Sequence, residues 1–413
     1  MEKIIKKDNN NYTKSAYTQA RAKISPSLFV MLNEEMIKEY YEDENRIKLF
    51  KGLRILAIDG STLQLPNVEP IEHIKQNDET QNNKQQISNN IRTIYGYNSN
   101  NKGEFETKAR ISILEDVENN MVLHGVLGSY YNSEKDMAFE HIEYLTQLKK
   151  QSPKYKDLIV FDRGYPSFAL LLYLKENNID YIIRMPRNRF KEIDNFKNDK
   201  RFTDKIIELE LTKNRIYDMK RKNNNPKISQ TLENKDIGDT IKVRAIKVKL
   251  KNGEIEILIT SLLDKKEYKT KIFKDFYFKR WGVEEEYKAI KSLLQVENFT
   301  GITQIAINQD FFATILLLNI NNSIINDVEE SKIEDYNKEK ERKYQYKINR
   351  SYTIGVFKER FIDLIINDGD IEEFFSYVEE KITKNLVPYK LNRSFDRKRK
   401  CRHKYPIGQK SVV

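Results

Sequence analysis

Tyr277, Arg280, Glu284 and Lys291 follow one another at spacings of three, four and seven residues, and each spacing returns to the same side of an α-helix. At about 100° per residue, with Tyr277 at zero, Arg280 falls near ~300°, Glu284 near ~340° and Lys291 near ~320°, an arc of roughly 60°. A single carboxylate is thereby set among three hydrogen-bond donors. A second stripe of Phe276, Val283, Tyr287, Ile290 and Leu294 covers roughly 220° to 280° and would bury that edge of a helix over residues 276–294. Glu285 and Glu286 point roughly 100° and 160° away from Glu284, so geometry singles out Glu284. From Tyr277 to Lys291 the stripe is about 21 Å long, enough to follow several phosphates of a nucleic-acid strand. Taken alone, the same alignment would also arise on an ordinary solvated helix face.

Two further carboxylates change that balance. Asp59 ends the apolar run 53–59 and Asp162 ends the run 158–162, and both runs have the β-branched, continuous character of buried strands. Side chains at the carboxyl ends of such strands converge on one edge of a sheet core. Two aspartates there and a glutamate on a neighbouring helix offer hard oxygen donors for two divalent cations about 3.5 to 4 Å apart, the arrangement that supports in-line phosphoryl transfer. Magnesium prefers such ligands, with manganese as its substitute. Taken singly, a strand-end Asp before Gly is more often a turn former than a ligand.

The elements that would position these groups are legible. Residues 15–50 read as helical, and residues 67–103, rich in Asn, Gln, Lys and Asp, read as a long loop. Residues 108–114 and 121–127 form the arms of a hairpin. A helix over 134–150, the strand ending at Asp162, a helix over 168–176 capped by Ser167 and a strand over 181–184 complete a mixed α/β layout. Residues 186–272 break the pattern, with strand-like runs at 241–250 and 254–262 joined at Asn252-Gly253, a strong hairpin signal. After the stripe helix, residues 305–325, 355–366 and 371–384 read as helices.

The chain has 413 residues, 33% of them charged and a formal net charge of +11, which implies an acidic partner such as nucleic acid or an anionic membrane surface. The charge is uneven: residues 390–413 hold nine Lys or Arg against one acidic residue, Asp396, and read as a phosphate-binding arm or as a solubilising end. No apolar run approaches a bilayer span, and the N-terminus lacks the long apolar core of a secretion signal. A cytoplasmic, nucleoid-associated protein with no membrane partner is expected. The lone Cys401 excludes an intramolecular disulfide framework, and with four His it cannot build a structural zinc site.

Taken together, these residues resemble a DDE transposase of the bacterial insertion-sequence four family. The family hallmark of Y, R, E and K separated by two, three and six residues is matched by Tyr277, Arg280, Glu284 and Lys291 within Tyr277-Phe-Lys-Arg-Trp-Gly-Val-Glu284. The first aspartate motif is similar at Ala57-Ile-Asp59-Gly-Ser-Thr62 and the second at Phe161-Asp162-Arg-Gly-Tyr165, with weaker similarity at Gln19-Ala-Arg-Ala-Lys23 and Thr260-Ser-Leu-Leu263.

The resemblance implies an RNase H-like mixed-sheet core over 53–185, a β-rich insertion over 186–272 and a core helix over 273–300. Helical regions would flank them at 1–52, a possible DNA-end-binding segment, and at 301–413. It further implies that Asp59, Asp162 and Glu284 are the metal ligands and that Tyr277, Arg280 and Lys291 grip terminal phosphates, with Arg163 and Arg184 as further DNA contacts or as internal partners of the carboxylates. The substrates would be double-stranded DNA at the element's terminal inverted repeats and in the target, bound by a homodimer. Trp281, the chain's one Trp, lies outside the insertion, where some relatives hold a flipped base on an aromatic ring, and reads as interface packing or DNA contact. Two other functions fit parts of the pattern: an inactive protein that occupies element ends, and an RNase H-like host nuclease.

Overall fold

A computed structural model describes residues 13–67, 90–99, 104–151, 154–222, 226–233, 235–250, 253–338, 344–366 and 369–389. The basic segment 390–413, Asn252 and most of 67–103 lie outside them. Among the described residues nine strands form the main sheet: β1 Arg54–Gln64, β2 Tyr97–Ser99, β3 Phe105–Asp116, β4 Met121–Ser129, β5 Asp157–Phe161, β6 Asp180–Arg184, β7 Asp204–Glu210, β8 Thr240–Lys249 and β9 Ile255–Thr260. The chain divides into two compact units, one of Ile47–Thr62 and Arg110–Glu286, the other of Met1–Arg46, Leu63–Ala109 and Tyr287–Val413.

In the first unit the strand order is β4-β3-β1-β5-β6-β9-β8-β7. The β3–β4 hairpin lies on one side of β1, and β5 and β6 run parallel to β1 on the other, which is the mixed arrangement expected of an RNase H-like core. Residues 186–272 add β9, β8 and β7 to the same sheet as antiparallel strands beyond β6. They also contain three helices, Lys191–Asn198, Lys213–Lys222 and Pro226–Leu232, so the stretch is less purely β than its composition suggests. The β8–β9 turn has Gly253 at φ +85°, a left-handed conformation that glycine adopts without a Cβ clash.

The apolar runs are strands because both faces are covered. Ile55, Leu158, Val160, Ile182, Ile246 and Leu258 form one cluster with Phe273, Phe276 and Tyr277 of the helix Phe273–Lys279. Two ion pairs are sealed in this unit, Arg54 with Asp157 at 2.6 Å and Arg244 with Asp204 at 2.6 Å.

Two sequence expectations need correction here. Strand β1 does not end at Asp59 but runs on to Gln64, with residues 59–62 only half-buried. The stripe helix is not continuous: Phe273–Lys279 and Gly282–Lys288 are separate α-helices, followed by a π-helical turn over Ala289–Leu293. Between them the backbone tightens to three-residue bonds, from Arg280 N–H to Tyr277 O, Trp281 N–H to Phe278 O and Glu284 N–H to Trp281 O. Gly282 sits at this break. A Cβ there would lie 3.2 Å from Cβ of Val117, so the missing side chain lets the helix approach the β3–β4 turn while weakening the helix itself.

In the second unit the helix Gln304–Val328 lies along Ser27–Tyr40, with hydrogen bonds from Asn319 to Asn33 at 2.7 Å and from Asn326 to the Tyr40 hydroxyl at 2.9 Å. The predicted helical stretch 15–50 is two helices, Lys14–Ala22 and Ser27–Tyr40, then a short 3-10 turn, because Pro26 cannot continue the preceding helix. A second cluster joins Ile324, Val328, Phe357, Phe374, Val378 and Ile382. Gln304–Ile333 is long and apolar enough to cross a bilayer, but Asn319, Asn321, Asn322 and Asn326 are buried along it, as befits the core helix of a bundle.

Candidate active site

The parallel register β1–β5 ends at Ala57 opposite Val160. Asp59 and Asp162 each lie two residues beyond this last pair, and both act on the charge of the buried Arg280. The even offset within β1 puts Asp59 on the same face of that strand as Ala57. Asp162 is the first residue beyond β5, whereas Asp59 is inside β1. The Asp59 carboxylate accepts the Gly60 N–H at 3.0 Å. Burial pushes its pKa from 3.8 up to about 6; the Gly60 bond and Arg280 oppose the rise, while Glu134 and Glu284 add to it.

Arg280 is the cationic centre of the group. It is 5% exposed, its Nη2 donates to Glu284 Oε1 at 3.1 Å, and its guanidinium lies 4.6 Å from the Trp281 ring. Burial works against its charge, yet Tyr277, Glu284, Asp162 and Asp59 together hold its pKa above the ordinary value. Tyr277 donates its hydroxyl to Asp162 at 3.1 Å, and burial first, then the Asp162 charge, raises its pKa. Arg184 stands 4.0 Å from Asp162 and is also paired with Glu256.

Of the sequence-selected residues, Asp59, Asp162, Tyr277, Arg280, Glu284 and Arg184 therefore belong to one electrostatic network. Glu284 is half-buried, Glu285 exposed and Glu286 buried, in keeping with the divergence expected of neighbouring helical residues. Tyr277 and Arg280 are turned towards carboxylates rather than outward, because both are buried against the sheet. Arg163 is exposed. Lys291 lies in the other unit, in the π-helical turn, where 100° per residue no longer holds. Trp281 is 42% exposed.

Two residues were not singled out by sequence. Glu134 begins the helix Glu134–Gln151, pairs with Arg110 at 2.7 Å and lies so close to Gly60 that a Cβ there would meet its Cγ at 2.5 Å. Its only sequence signal is an acidic first turn, which any helix favours. Tyr165, in the Asp162-Arg-Gly-Tyr motif, is 2% exposed and its hydroxyl has no hydrogen-bond partner among the described residues. Burial first, then Asp59, Glu134 and Asp162, pushes its pKa well above the ordinary value.

Among the described residues no three His, Cys, Asp or Glu side chains are gathered tightly enough to form a ready-made metal cage. The donor set nonetheless suits a hard divalent cation: carboxylate oxygens, one of them desolvated and so favoured by any added positive charge.

The description "Transposase DDE domain" belongs to the family whose model matches residues 50–320, and this chain is a member of that family. The match covers both aspartates, the glutamate and the strands and helices that carry them. No curated protein matches significantly in sequence. Among solved structures, the chain is similar to a piggyBac transposase synaptic complex with hairpin DNA, at TM-score 0.41 and 10% identity over 89% of this chain and 65% of that one. It is also similar to a Mos1 transposase paired-end complex with left transposon end, at TM-score 0.20 and 12% identity over 44% of this chain and 56% of that one. The chain thus spans less than two thirds of either.

Proposed function

We propose that the protein is a metal-dependent DNA transposase of the insertion-sequence four type, which hydrolyses a phosphodiester at each end of its element and joins the freed 3′-OH to target DNA. The observation that carries this reading is that Asp59, Asp162 and Glu284 all act on the charge of the buried Arg280, which donates a hydrogen bond to Glu284, in a chain whose family is that of the transposase DDE domain. Asp59, Asp162 and Glu284 would hold one or two magnesium ions, which supply Lewis-acid stabilisation of in-line phosphoryl transfer. Tyr277 orients Asp162 by its hydrogen bond, and Arg280 orients Glu284 while placing a buried positive charge where a phosphate can reach it. Arg163, Arg184 and Lys291 would contact the backbone of element ends, and two copies would pair the two ends as a homodimer.

Three variants test the assignment on DNA carrying the sequences that flank the coding region, with and without magnesium. Glu284→Gln keeps size and helix propensity but not charge, so ends should be bound normally and cleavage should collapse. Arg280→Ala should weaken end binding, with some activity recovered at low salt. Glu285→Gln, on an exposed side chain, should behave as wild type. If Glu285→Gln abolished cleavage while Glu284→Gln cut normally, the assignment of the glutamate would be wrong.

A further inference from the structure

A hydrogen-bonded chain that the proposed reaction does not use runs behind Asp59. Ser112, on β3, donates its hydroxyl to the backbone carbonyl of Asp59 at 3.0 Å. His141, on the helix Glu134–Gln151, has Nε2 2.9 Å from the Ser112 oxygen. His124, on β4, has Nδ1 2.9 Å from Nδ1 of His141, and its ring stacks on Tyr144 at 4.4 Å between centroids. Ser112 and His141 are fully buried.

The proton count gives this chain one direction. A serine hydroxyl has a single proton, and here it goes to the Asp59 carbonyl, so Ser112 must accept from an Nε2–H of His141. A neutral imidazole has only one N–H, which leaves His141 Nδ1 as an acceptor and makes His124 Nδ1–H its donor. Both rings are neutral: burial lowers the His124 pKa to about 4, and burial together with His124 lowers that of His141 well below the ordinary value. The chain does not stop at the carbonyl. The peptide group joining Asp59 to Gly60 is planar, so the bond that fixes its C=O also fixes its N–H, and that N–H donates to the Asp59 carboxylate at 3.0 Å. Hydrogen bonds in such a row polarise one another.

We propose that His141 and Ser112 are positioning residues that orient the Asp59 carboxylate through the Asp59–Gly60 peptide plane, with His124 setting the tautomer of His141. The proposal rests on Asp59 being catalytic. Its test uses the full-length protein with magnesium and saturating flanking-sequence DNA, and reads single-turnover cleavage, gel-shift affinity and melting temperature for each variant. Ser112→Ala should lower the cleavage rate by about tenfold, the scale of one lost hydrogen bond, and leave DNA affinity unchanged. His141→Leu should lose at least as much, whereas His141→Gln, which can still donate to Ser112, should recover part of the rate. Histidine-selective nitrogen-15 spectra of the wild type should show the Nε2–H tautomer for His141 and the Nδ1–H tautomer for His124.

The opposite tautomer at His141, or a wild-type cleavage rate in a folded Ser112→Ala protein, would overturn the proposal. A His141→Leu protein that does not fold leaves Ser112→Ala, a smaller deletion, to decide. Asp59→Asn separates the two readings: if it cuts normally, the catalytic assignment fails. If it is inactive while Ser112→Ala is fully active, only the positioning role fails.

Discussion

Asp59→Asn should stabilise the metal-free protein at neutral pH, even as it removes a proposed catalytic group. The carboxyl is raised from 3.8 to about 6, chiefly by burial, and each pKa unit corresponds to about 1.4 kcal/mol of differential stability, so the ionised form costs the fold about 3 kcal/mol. The group is only half-buried, and solvent screening trims this towards ~2 kcal/mol. The sign follows from proton binding. Below pH 3.8 the folded and unfolded states are both protonated and the penalty is absent; above about 6 both are ionised and the penalty is complete. Wild-type stability should therefore fall as pH rises from about 4 to 6, while the Asn variant, which keeps an oxygen to accept the Gly60 N–H, lacks that fall. Urea unfolding in chelator at pH 4 and pH 7.5 measures the difference. A variant no more stable than wild type at pH 7.5, or an advantage equal at both pH values, would refute the burial argument.

Gly60→Ala should push the Glu134 side chain aside, since its Cβ would meet Glu134 at 2.5 Å, and cost no more than about 1 kcal/mol through the weakened Arg110 pair; Gly164→Ala, with no atom within 4 Å of the added Cβ, is the control in the same thermal melt. Arg244→Met should cost about 1–3 kcal/mol in urea unfolding, because the buried Tyr268 carbonyl loses its donor while Asp204 keeps Lys265 and Thr270 as partners. Deleting residues 390–413, which carry nine basic side chains, should make the slope of log affinity on log salt shallower by about 0.9 per lost phosphate contact, and an unchanged slope in a titration would show the segment to be a spectator.

Much of the framework was legible because it is written in local spacing. The apolar run ending at Phe161 lies in β5, Ser167 caps Phe168–Glu176 through a bond to the Leu170 N–H, and β8 and β9 turn back at Gly253. Each follows from side-chain period, capping chemistry or backbone freedom within a few residues. Local rules failed where a distant contact intervened. The stripe helix breaks where Gly282 meets Val117, and β1 outruns its apolar segment because residues beyond Asp59 stay in the sheet.

The sequence by itself determined the residue types, the α/β layout and the choice of Asp59, Asp162 and Glu284 as the proposed metal ligands. It could also order Glu284, Glu285 and Glu286 around a helix, since that order depends only on neighbouring φ and ψ. Only the tertiary structure decided which groups meet. Strand pairing brings the β1 and β5 segments that lead to Asp59 and Asp162 side by side, and burial turns Arg280 and Tyr277 inward to Glu284 and Asp162. The same packing places Glu134 over Gly60 and threads His124, His141 and Ser112 towards Asp59. Those contacts depend on register and on which face each strand and helix buries, and no spacing along the chain encodes them.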